Sequence, residues 1–259
     1  MMQAELAVIF PTYEDVSTVR KTLPTVIAEC QRSGAALIVH DSSVLNAPEM
    51  RTYLTEVCAN DAAFLILTSP MSMGSARNMC LDVAISLFAP LYVCMMEDDH
   101  GLHEGAIPTL VAATRDHYGK RAPNGLRFGL FSGCLHCWRQ FHAFANLSGT
   151  DHEYPEASNP IHALGGVNSC FRCAPTSHWQ SVLKGYDSDE YMISNWQTRG
   201  LNFRNYHRGF TALYVGGGNL AYQIDRVGHG YTQPQELRRW DEVYTASDER
   251  SRYAGKQSD

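Results

Sequence analysis

The stretch LYVCMMEDDHG, at Leu91–Gly101, ends a run of mostly apolar residues in three consecutive carboxylates and a histidine. Adjacent carboxylates repel one another and lose hydration when partly buried, so the cluster lowers stability unless a cation balances it. In an extended chain Glu97 and Asp99 point to one side and Asp98 to the other, so the first two can face one cation. Carboxylate oxygens suit Mg²⁺ or Mn²⁺, and such ions commonly complete their coordination shell with substrate phosphates. The alternative is a solvated turn whose acids cap the next helix, but the position directly after a buried strand favours a metal site.

Two earlier apolar stretches also end in polar residues. LAVIF leads into PTYE at residues 11–14, and AALIVH leads into DSS at residues 41–43. In an open parallel sheet, ligands bind outside the carboxyl ends of the strands. If these strands are parallel, all three polar ends therefore converge on one edge with the carboxylates.

The elements that would position these residues alternate between strand and helix through the first half of the chain. The strands are apolar throughout, which predicts an α/β fold with a Rossmann-like, mostly parallel sheet flanked by helices. The predicted strands of this half are LAVIF, AALIVH, AFLIL and LYVCMM. The predicted helices are Val16 to Cys30 with a kink at Pro24, Pro48 to Cys58, residues 73–88, and Glu104 to Tyr118.

The second half has a less regular pattern. LRFGLFSG predicts another strand, and a long polar loop runs from about Trp138 to Leu164 before the strand VNSCFRC. Loops of this length inside a compact domain are commonly lids or binding segments. Two helical stretches follow, TSHWQSVL and DEYMISNWQTRG, and the last twenty-odd residues are polar. No internal repeat and no low-complexity linker is visible in the sequence, so we expect one continuous domain.

The composition narrows the class of protein. The chain has 259 residues, of which 44% are hydrophobic, and a formal net charge of -6. This charge argues against broad binding to nucleic acid, which needs a basic surface. No secretory segment and no bilayer-spanning apolar run is visible, so we expect a cytoplasmic protein and leave peripheral membrane contact open.

Four of the eight cysteines form two CxxC units, Cys134 with Cys137 and Cys170 with Cys173. Four thiolates can hold a structural Zn²⁺. However, NSCFRCAP has the pattern of a strand, and alternation would point its two thiols to opposite faces. Buried free thiols are therefore the favoured interpretation, with zinc as the alternative.

AVIFPTYED, IVHDSS, GSARNMCLDVA and LYVCMMEDDH together resemble the nucleotide-binding half of the family 2 type glycosyltransferases, which have the GT-A fold. That family shows a strand closed by Pro-Thr-Tyr, an Asp-rich turn, a Gly-x-x-x-Ala-Arg-Asn helix start and an Asp-x-Asp metal motif, in this order. The resemblance covers residues 6 to about 100. It implies a single GT-A domain over residues 1–259, with a nucleotide-sugar-binding half to about residue 102. An acceptor-binding half at about 103–233 and a C-terminal surface helix and tail at 234–259 would follow.

The resemblance also implies roles for individual residues. A nucleotide-sugar site would be lined by Pro11, Thr12, Tyr13, His40, Asp41, Arg77 and Asp98, and Mn²⁺ or Mg²⁺ would be held by Glu97 and Asp99. His40 stands where the family often has a further Asp that reads uracil. The nucleobase is therefore left open, and a UDP-sugar is the donor that we expect.

The resemblance implies an inverting glycosyltransferase that passes a sugar to an acceptor hydroxyl, as in carbohydrate biosynthesis. The catalytic base would be Glu190 or Asp189, because the chain has Asp-Glu where the family has Glu-Asp. Asp187 stays open as a third choice, and capping of a helix is the alternative role for these acids. His229 in RVGHGYT is the favoured metal-binding histidine, with His207 as the other candidate.

Two other functions are compatible with parts of this pattern. A sugar-phosphate nucleotidyltransferase would share the metal and phosphate chemistry, but it is expected to have a basic, glycine-rich loop after the first strand. FPTYEDVS is acidic there and contains no glycine. The non-enzymatic alternative is a module that is stabilised by structural zinc and binds a nucleotide sugar without turnover. The sequence indicates neither the donor sugar nor the acceptor.

Overall fold

The computed structural model describes residues 4–61, 63–122, 125–133, 170–186, 201, 204–215 and 220–224. The strands in these ranges are β1 (Leu6–Thr12), β2 (Ala36–Asp41), β3 (Phe64–Leu67), β4 (Tyr92–Met96), β5 (His100–Leu102), β6 (Arg127–Ser132), β7 (Phe171–Pro175), β8 (Phe210–Tyr214) and β9 (Ala221–Gln223). The helices are α1 (Val16–Ser33), α2 (Ala47–Asn60), α3 (Met73–Phe88), α4 (Ala106–His117) and α5 (Thr176–His178), which continues as a π-helical turn, Trp179–Leu183.

Seven strands form one sheet in the order β3-β2-β1-β4-β7-β6-β8. β1, β2, β3 and β4 are mutually parallel, β7 runs antiparallel to both of its neighbours, and β6 and β8 are parallel to each other. Because β7 reverses direction once on each side, all six other strands point the same way. The predicted α/β fold with a mostly parallel sheet is confirmed.

Helices cover both faces of this sheet. One face carries Val8 and Phe10 of β1 and packs against α1, α2 and α4. The other face carries Ala7 and Ile9 and packs against α3 and the π-helical turn that contains Trp179. Burial on both faces explains why the central strands are apolar at every position.

Capping groups set the ends of the helices. Asp15 accepts the Thr18 N–H at the start of α1, and Gly34 ends that helix with φ 65°. The helix runs through Pro24 and extends three residues beyond the predicted end. α3 has the predicted bounds. Ser72 caps its start by accepting the Ser75 N–H.

The start of α4 is capped by a distant residue. Gly105 has no side chain to offer, and the carboxylate of Glu29 in α1 accepts the N–H groups of Gly105 at 3.0 Å and Ile107 at 3.2 Å. Glu29 is 1% exposed and also pairs with Arg32. A buried carboxylate therefore ties α1 to α4.

A second buried polar group, the imidazole of His178, connects residues from separate parts of the chain. His178 Nε2 donates to Asn205 Oδ1 at 2.9 Å, and Nδ1 accepts from the Tyr118 hydroxyl at 3.2 Å. Burial lowers the pKa of His178 to about 4, although the bond to Asn205 acts in the opposite direction. The imidazole is therefore neutral near pH 7.

The cysteines within the described ranges are free and buried. Cys173 lies opposite Cys94 across β7 and β4, and Cys170, just before β7, belongs to the same face of the core. Cys134 and Cys137 lie outside the described residues. The structure therefore gives no support to the zinc alternative, since the two described thiols of the proposed set are part of the apolar core.

Several predicted features lie outside the described residues: the long loop, the whole of DEYMISNWQTRG and the C-terminal helix and tail. In the ranges that are described, no helix is long and apolar enough to cross a bilayer. The small antiparallel sheet of β5 and β9 was not predicted from the sequence.

Candidate functional site

The carboxyl ends of β2, β1 and β4 lie side by side because these strands are neighbours and parallel. Side chains join the three ends. Thr12 Oγ1 donates to Asp41 Oδ1 at 3.4 Å, and the Tyr13 N–H donates to Asp98 Oδ2 at 3.1 Å. The structure thus brings together Thr12, Tyr13, Asp41 and Asp98 at the edge where open α/β sheets bind ligands.

Glu97, Asp99 and His100 form the group in the described residues that could hold a metal ion. One ligand atom from each lies within 4.8 Å of the others. The imidazole of His100 is buried, and its Nδ1 lies 2.6 Å from Asp99 Oδ1. Two carboxylates and an imidazole are a donor set for a divalent cation.

His100 was not predicted as a ligand, and the local backbone explains the omission. Alternation along an extended chain would place His100 on the side opposite Glu97 and Asp99. The chain turns instead, with the His100 N–H donating to the Glu97 carbonyl at 3.3 Å. The histidine next to the acids in EDDH was visible in the sequence, but the turn was not.

Two buried arginines hold Glu97. Arg77 Nη2 lies 3.0 Å from Glu97 Oε1, and Arg172 Nη2 lies 3.9 Å from the same oxygen. Arg77 is 1% exposed and Arg172 is 0% exposed. The predicted contact of Arg77 with a diphosphate stays a prediction, since the described contact is with Glu97. Arg172 was missed, although an arginine inside the apolar strand FRCAP was a usable indication of a buried ion pair.

Tyr186 completes this group. The Tyr186 hydroxyl lies 3.3 Å from Arg172 Nη1, and the Arg77 guanidinium lies 5.1 Å from the centre of the tyrosine ring. Burial raises the pKa of Tyr186 against the opposing effect of the two arginines, which keeps the phenol neutral. Asn78 of α3 binds the Tyr186 main chain at both ends, accepting its N–H at 2.7 Å and donating to its carbonyl at 2.8 Å. Helix α3 thereby fixes the segment that leads into residues 187–190.

Asp41 and His40 occupy the other end of the site. Asp41 is fully buried and accepts from the Ser43 N–H at 3.0 Å and the Ser43 hydroxyl at 2.5 Å. Arg51 of α2, which was not predicted, places Nε 3.6 Å from Asp41 Oδ2. His40 is also fully buried, with Nε2 at 2.9 Å from the Thr68 hydroxyl. Burial lowers the pKa of His40, despite the nearby Asp41, so this imidazole is neutral at pH 7.

Glu14 locks the loop after β1 to the loop after β2. Its N–H donates to Ser43 Oγ at 2.7 Å, and its carboxylate accepts the N–H groups of Val44, Leu45 and Asn46. Glu14 has φ 62°, a left-handed conformation that costs energy in a non-glycine residue. Burial raises the pKa of Glu14, but the three backbone hydrogen bonds outweigh it and the net shift is downward. The protein's own hydrogen bonds therefore fix the loops after β1 and β2 relative to each other.

Of the remaining predicted site residues, the structure describes Pro11 and His207. Pro11 lies in β1 in register with His40 of β2. Glu190, Asp189, Asp187 and His229 lie outside the described residues, so their roles stay predictions. His207 precedes β8, at the amino ends of the parallel strands, and is therefore on the edge of the sheet opposite the acids.

The comparisons with known proteins concern the fold. No model of a known protein family matches the sequence, and no curated protein sequence matches it. Among solved structures, S. aureus TarS 1-349 in complex with UDP-GlcNAc superposes with a TM-score of 0.60 at 12% identity, covering 95% of this chain. The mannosyltransferase PcManGT from Pyrobaculum calidifontis, in complex with GDP-Man and Mn²⁺, gives a TM-score of 0.57 at 15% identity and covers 87%.

These matches cover 68% of the TarS chain and 59% of the PcManGT chain, so both proteins are longer than this one. At such low identity the likeness shows the fold alone. The protein has the GT-A type fold, as the sequence predicted.

Proposed function

We propose that the protein is a glycosyltransferase that moves a sugar from a nucleoside diphosphate to an acceptor hydroxyl with the help of a divalent metal ion. The observation that carries this proposal is the group of Glu97, Asp99 and His100 at the carboxyl edge of the sheet. The proposal is supported by the fold, which this chain shares with a UDP-GlcNAc complex and a GDP-Man complex.

The donor set fits a hard divalent cation. Asp99 and Glu97 offer carboxylate oxygens, which Mn²⁺ and Mg²⁺ prefer, and His100 offers an imidazole that Mn²⁺ accepts more readily than Mg²⁺ does. A bound divalent cation would stabilise the negative charge that grows on a departing diphosphate. The neighbour PcManGT was solved with Mn²⁺. Manganese is therefore the ion that we expect.

The chain's own residues would bind and orient the nucleotide. The exposed ring of Tyr13 can stack on a nucleobase, while its N–H is fixed by Asp98. Asp41, held by Ser43 and Thr12, would accept hydrogen bonds from the nucleoside. His40 is neutral and buried, so it would discriminate bases through a hydrogen bond rather than through charge.

The transfer step requires a base on the acceptor side. We assign this role to Glu190 or Asp189, with Asp187 as the remaining choice, on the basis of the family resemblance alone. The carboxylate would take the proton of the acceptor hydroxyl while the hydroxyl oxygen attacks the anomeric carbon. The bond from that carbon to the diphosphate breaks in the same step, a single displacement. Such a displacement inverts the anomeric configuration.

The proposal is tested by thermal shift of the whole protein with UDP, GDP, CDP and ADP, each with and without Mn²⁺. We expect at least one diphosphate to raise the melting temperature only when Mn²⁺ is present. Asp99→Ala should remove this response, whereas Asp116→Ala, at an exposed acid of α4, should keep it. Absence of any Mn²⁺-dependent response in the unmodified protein would contradict the proposal.

A second measurement addresses the base. Glu190→Gln should keep nucleotide binding and lose transfer or hydrolysis of the sugar nucleotide that binds best. If Glu190→Gln turns over at the normal rate while Asp189→Asn does not, Asp189 is the base. If both variants and Asp187→Asn remain active, the assignment of the base to this segment is wrong.

A further inference from the structure

The small sheet next to the metal group contains an unusual pair, a glycine opposite a tyrosine. Gly101 of β5 and Tyr222 of β9 are directly paired in the antiparallel ladder. A Cβ at position 101 would lie 2.5 Å from Tyr222 Cζ and 2.6 Å from the tyrosine oxygen. The phenol therefore lies across the strand on the bare backbone of Gly101, and only glycine leaves room for it.

Packing against Gly101 does not bury this ring. Tyr222 remains 37% exposed, which places it among the exposed large hydrophobic residues of the described chain. The exposed imidazole of His103 lies beside it, with ring centroids 4.9 Å apart and planes at 49°. Gly101 and His103 are two residues apart, so both lie on the same side of the strand. The two tilted rings thus form one exposed aromatic surface, in which the tyrosine ring lies on Gly101.

The surface is adjacent to the proposed metal site. The Ile224 N–H donates to the Asp99 carbonyl at 2.9 Å, so the ladder that holds Tyr222 also holds Asp99. Asp99 is two positions from Gly101, so their Cα atoms lie at most about 7 Å apart. The backbone beneath Tyr222 is therefore within about the width of one sugar ring of Asp99.

We propose that Tyr222 and His103 form a platform on which a pyranose ring stacks. The C–H groups on one face of a pyranose are apolar and pack on an aromatic face, while its hydroxyls remain available to the phenol, the imidazole and water. The proposal deepens the proposed function and rests on it for the identity of the neighbouring ligand. The bound ring is either the sugar of the donor or a sugar of the acceptor, and the experiment distinguishes the two.

The variants separate stacking from fold maintenance. Tyr222→Phe keeps the ring and its packing on Gly101, whereas Tyr222→Leu removes the aromatic face but still covers the glycine. Gly101→Ala leaves both rings intact and forces Tyr222 out of its position. Tyr53→Leu is the matched control, because Tyr53 is a partly exposed tyrosine of α2 that contacts Arg20.

Calorimetry with Mn²⁺ compares UDP with UDP-GlcNAc and GDP with GDP-mannose, and saturation-transfer NMR follows methyl β-glucoside and methyl α-mannoside. If the donor sugar stacks, Tyr222→Leu and Gly101→Ala weaken the sugar nucleotide roughly three- to tenfold relative to the plain diphosphate. If an acceptor sugar stacks, Tyr222→Leu and Gly101→Ala keep the donor affinities of the unmodified protein. The methyl glycosides then lose their saturation-transfer signal with these two variants. Tyr222→Phe and Tyr53→Leu should match the unmodified protein in both measurements.

The platform is refuted if Tyr222→Leu folds normally and changes neither measurement. Should Tyr222→Leu fail to fold, His103→Ala at the exposed edge takes its place, and an unchanged result for that variant also refutes it. Failure of the proposed function looks different, since no diphosphate would then bind to the unmodified protein with Mn²⁺. In that case the methyl glycosides alone decide, and the absence of saturation transfer to the unmodified protein overturns the platform.

Discussion

Glu97 and Asp99 are two residues apart and both belong to the proposed metal group, but the structure gives them different second roles. Glu97 is held by Arg77 and Arg172, whereas Asp99 lies against His100. Glu97→Gln and Asp99→Asn each remove one negative charge with almost no change in shape. We expect both variants to lose the response to Mn²⁺, and only Glu97→Gln to lose much stability.

The expected size of the stability loss follows from these contacts. Arg77 is 1% exposed and lies 3.0 Å from Glu97 Oε1, so this is a hydrogen bond between a buried guanidinium and a partly buried carboxylate. Such bonds contribute about 1.5–3 kcal/mol, against about 0.5–1.5 kcal/mol for neutral ones. Removing a buried partner outright costs about 3–5 kcal/mol, but glutamine keeps an oxygen for Arg77. We therefore expect a loss of about 2 kcal/mol for Glu97→Gln.

In a chain of 259 residues this loss corresponds to a fall in melting temperature of roughly 4–8 °C. Asparagine at position 99 keeps an oxygen towards His100 Nδ1, so we expect Asp99→Asn to change the free energy of unfolding by less than about 1 kcal/mol. Melting curves and urea denaturation, each with and without Mn²⁺, measure both effects. Glu49→Gln, at an exposed acid, is the control.

Two results would contradict these expected stabilities. If Glu97→Gln is as stable as the unmodified protein, the pair with Arg77 does not stabilise the fold and Glu97 is available as an ordinary metal ligand. If Asp99→Asn is destabilised as much as Glu97→Gln, the two acids are equivalent, and the separate contribution that we assign to the buried arginines is wrong.

Three further predictions concern stability. Glu29→Gln should lower the free energy of unfolding by about 2 kcal/mol in urea denaturation, because the buried carboxylate caps α4 through Gly105 and Ile107; a change below about 0.5 kcal/mol would contradict this. The pKa of His178 is lowered to about 4, so the unfolded state binds the extra proton between about pH 6.5 and 4. The free energy of unfolding should therefore decrease as the pH falls through that window, by up to about 1.4 kcal/mol per pH unit. An NMR titration that shows His178 protonated at pH 6 would exclude this contribution. The pKa of Glu14 is also lowered, so its contribution is present above the unfolded pKa and lost as the pH falls through the folded one. Glu14→Gln should reduce the loss of stability in acid, and an identical acid melting profile would count against that.

The fold could be predicted from the sequence because its strands are buried on both faces. β1, β2, β3 and β4 are short apolar stretches separated by helical patterns, and α3 was placed with its exact bounds. The direction of β7 could not be predicted, since a buried antiparallel strand between parallel neighbours is as apolar as they are. β5 and β9 were missed because each has only three residues.

The site was only partly predictable, because its residues are defined by contacts across the sheet. Thr12, Asp41 and Asp98 stand at strand ends, where position in sequence indicates function. Arg172 and Tyr186 contribute through Glu97. The place of Arg172 in an apolar strand indicated a buried ion pair, but no local pattern identifies a partner so far away in the sequence. The catalytic base stays a prediction.

The antiparallel strand β7, which lies inside the sheet, has a consequence for synthesis of the protein. β4 ends at Met96 and its partner β7 begins at Phe171, so the ribosome must add about 75 residues before the two can pair. At roughly 5–20 residues per second the nascent chain waits about 4–15 seconds with the hydrogen-bonding edge of β4 uncovered. Unpaired apolar edges are templates for pairing with other chains. Chaperones that bind extended apolar segments would therefore find their target in YVCMM during this interval.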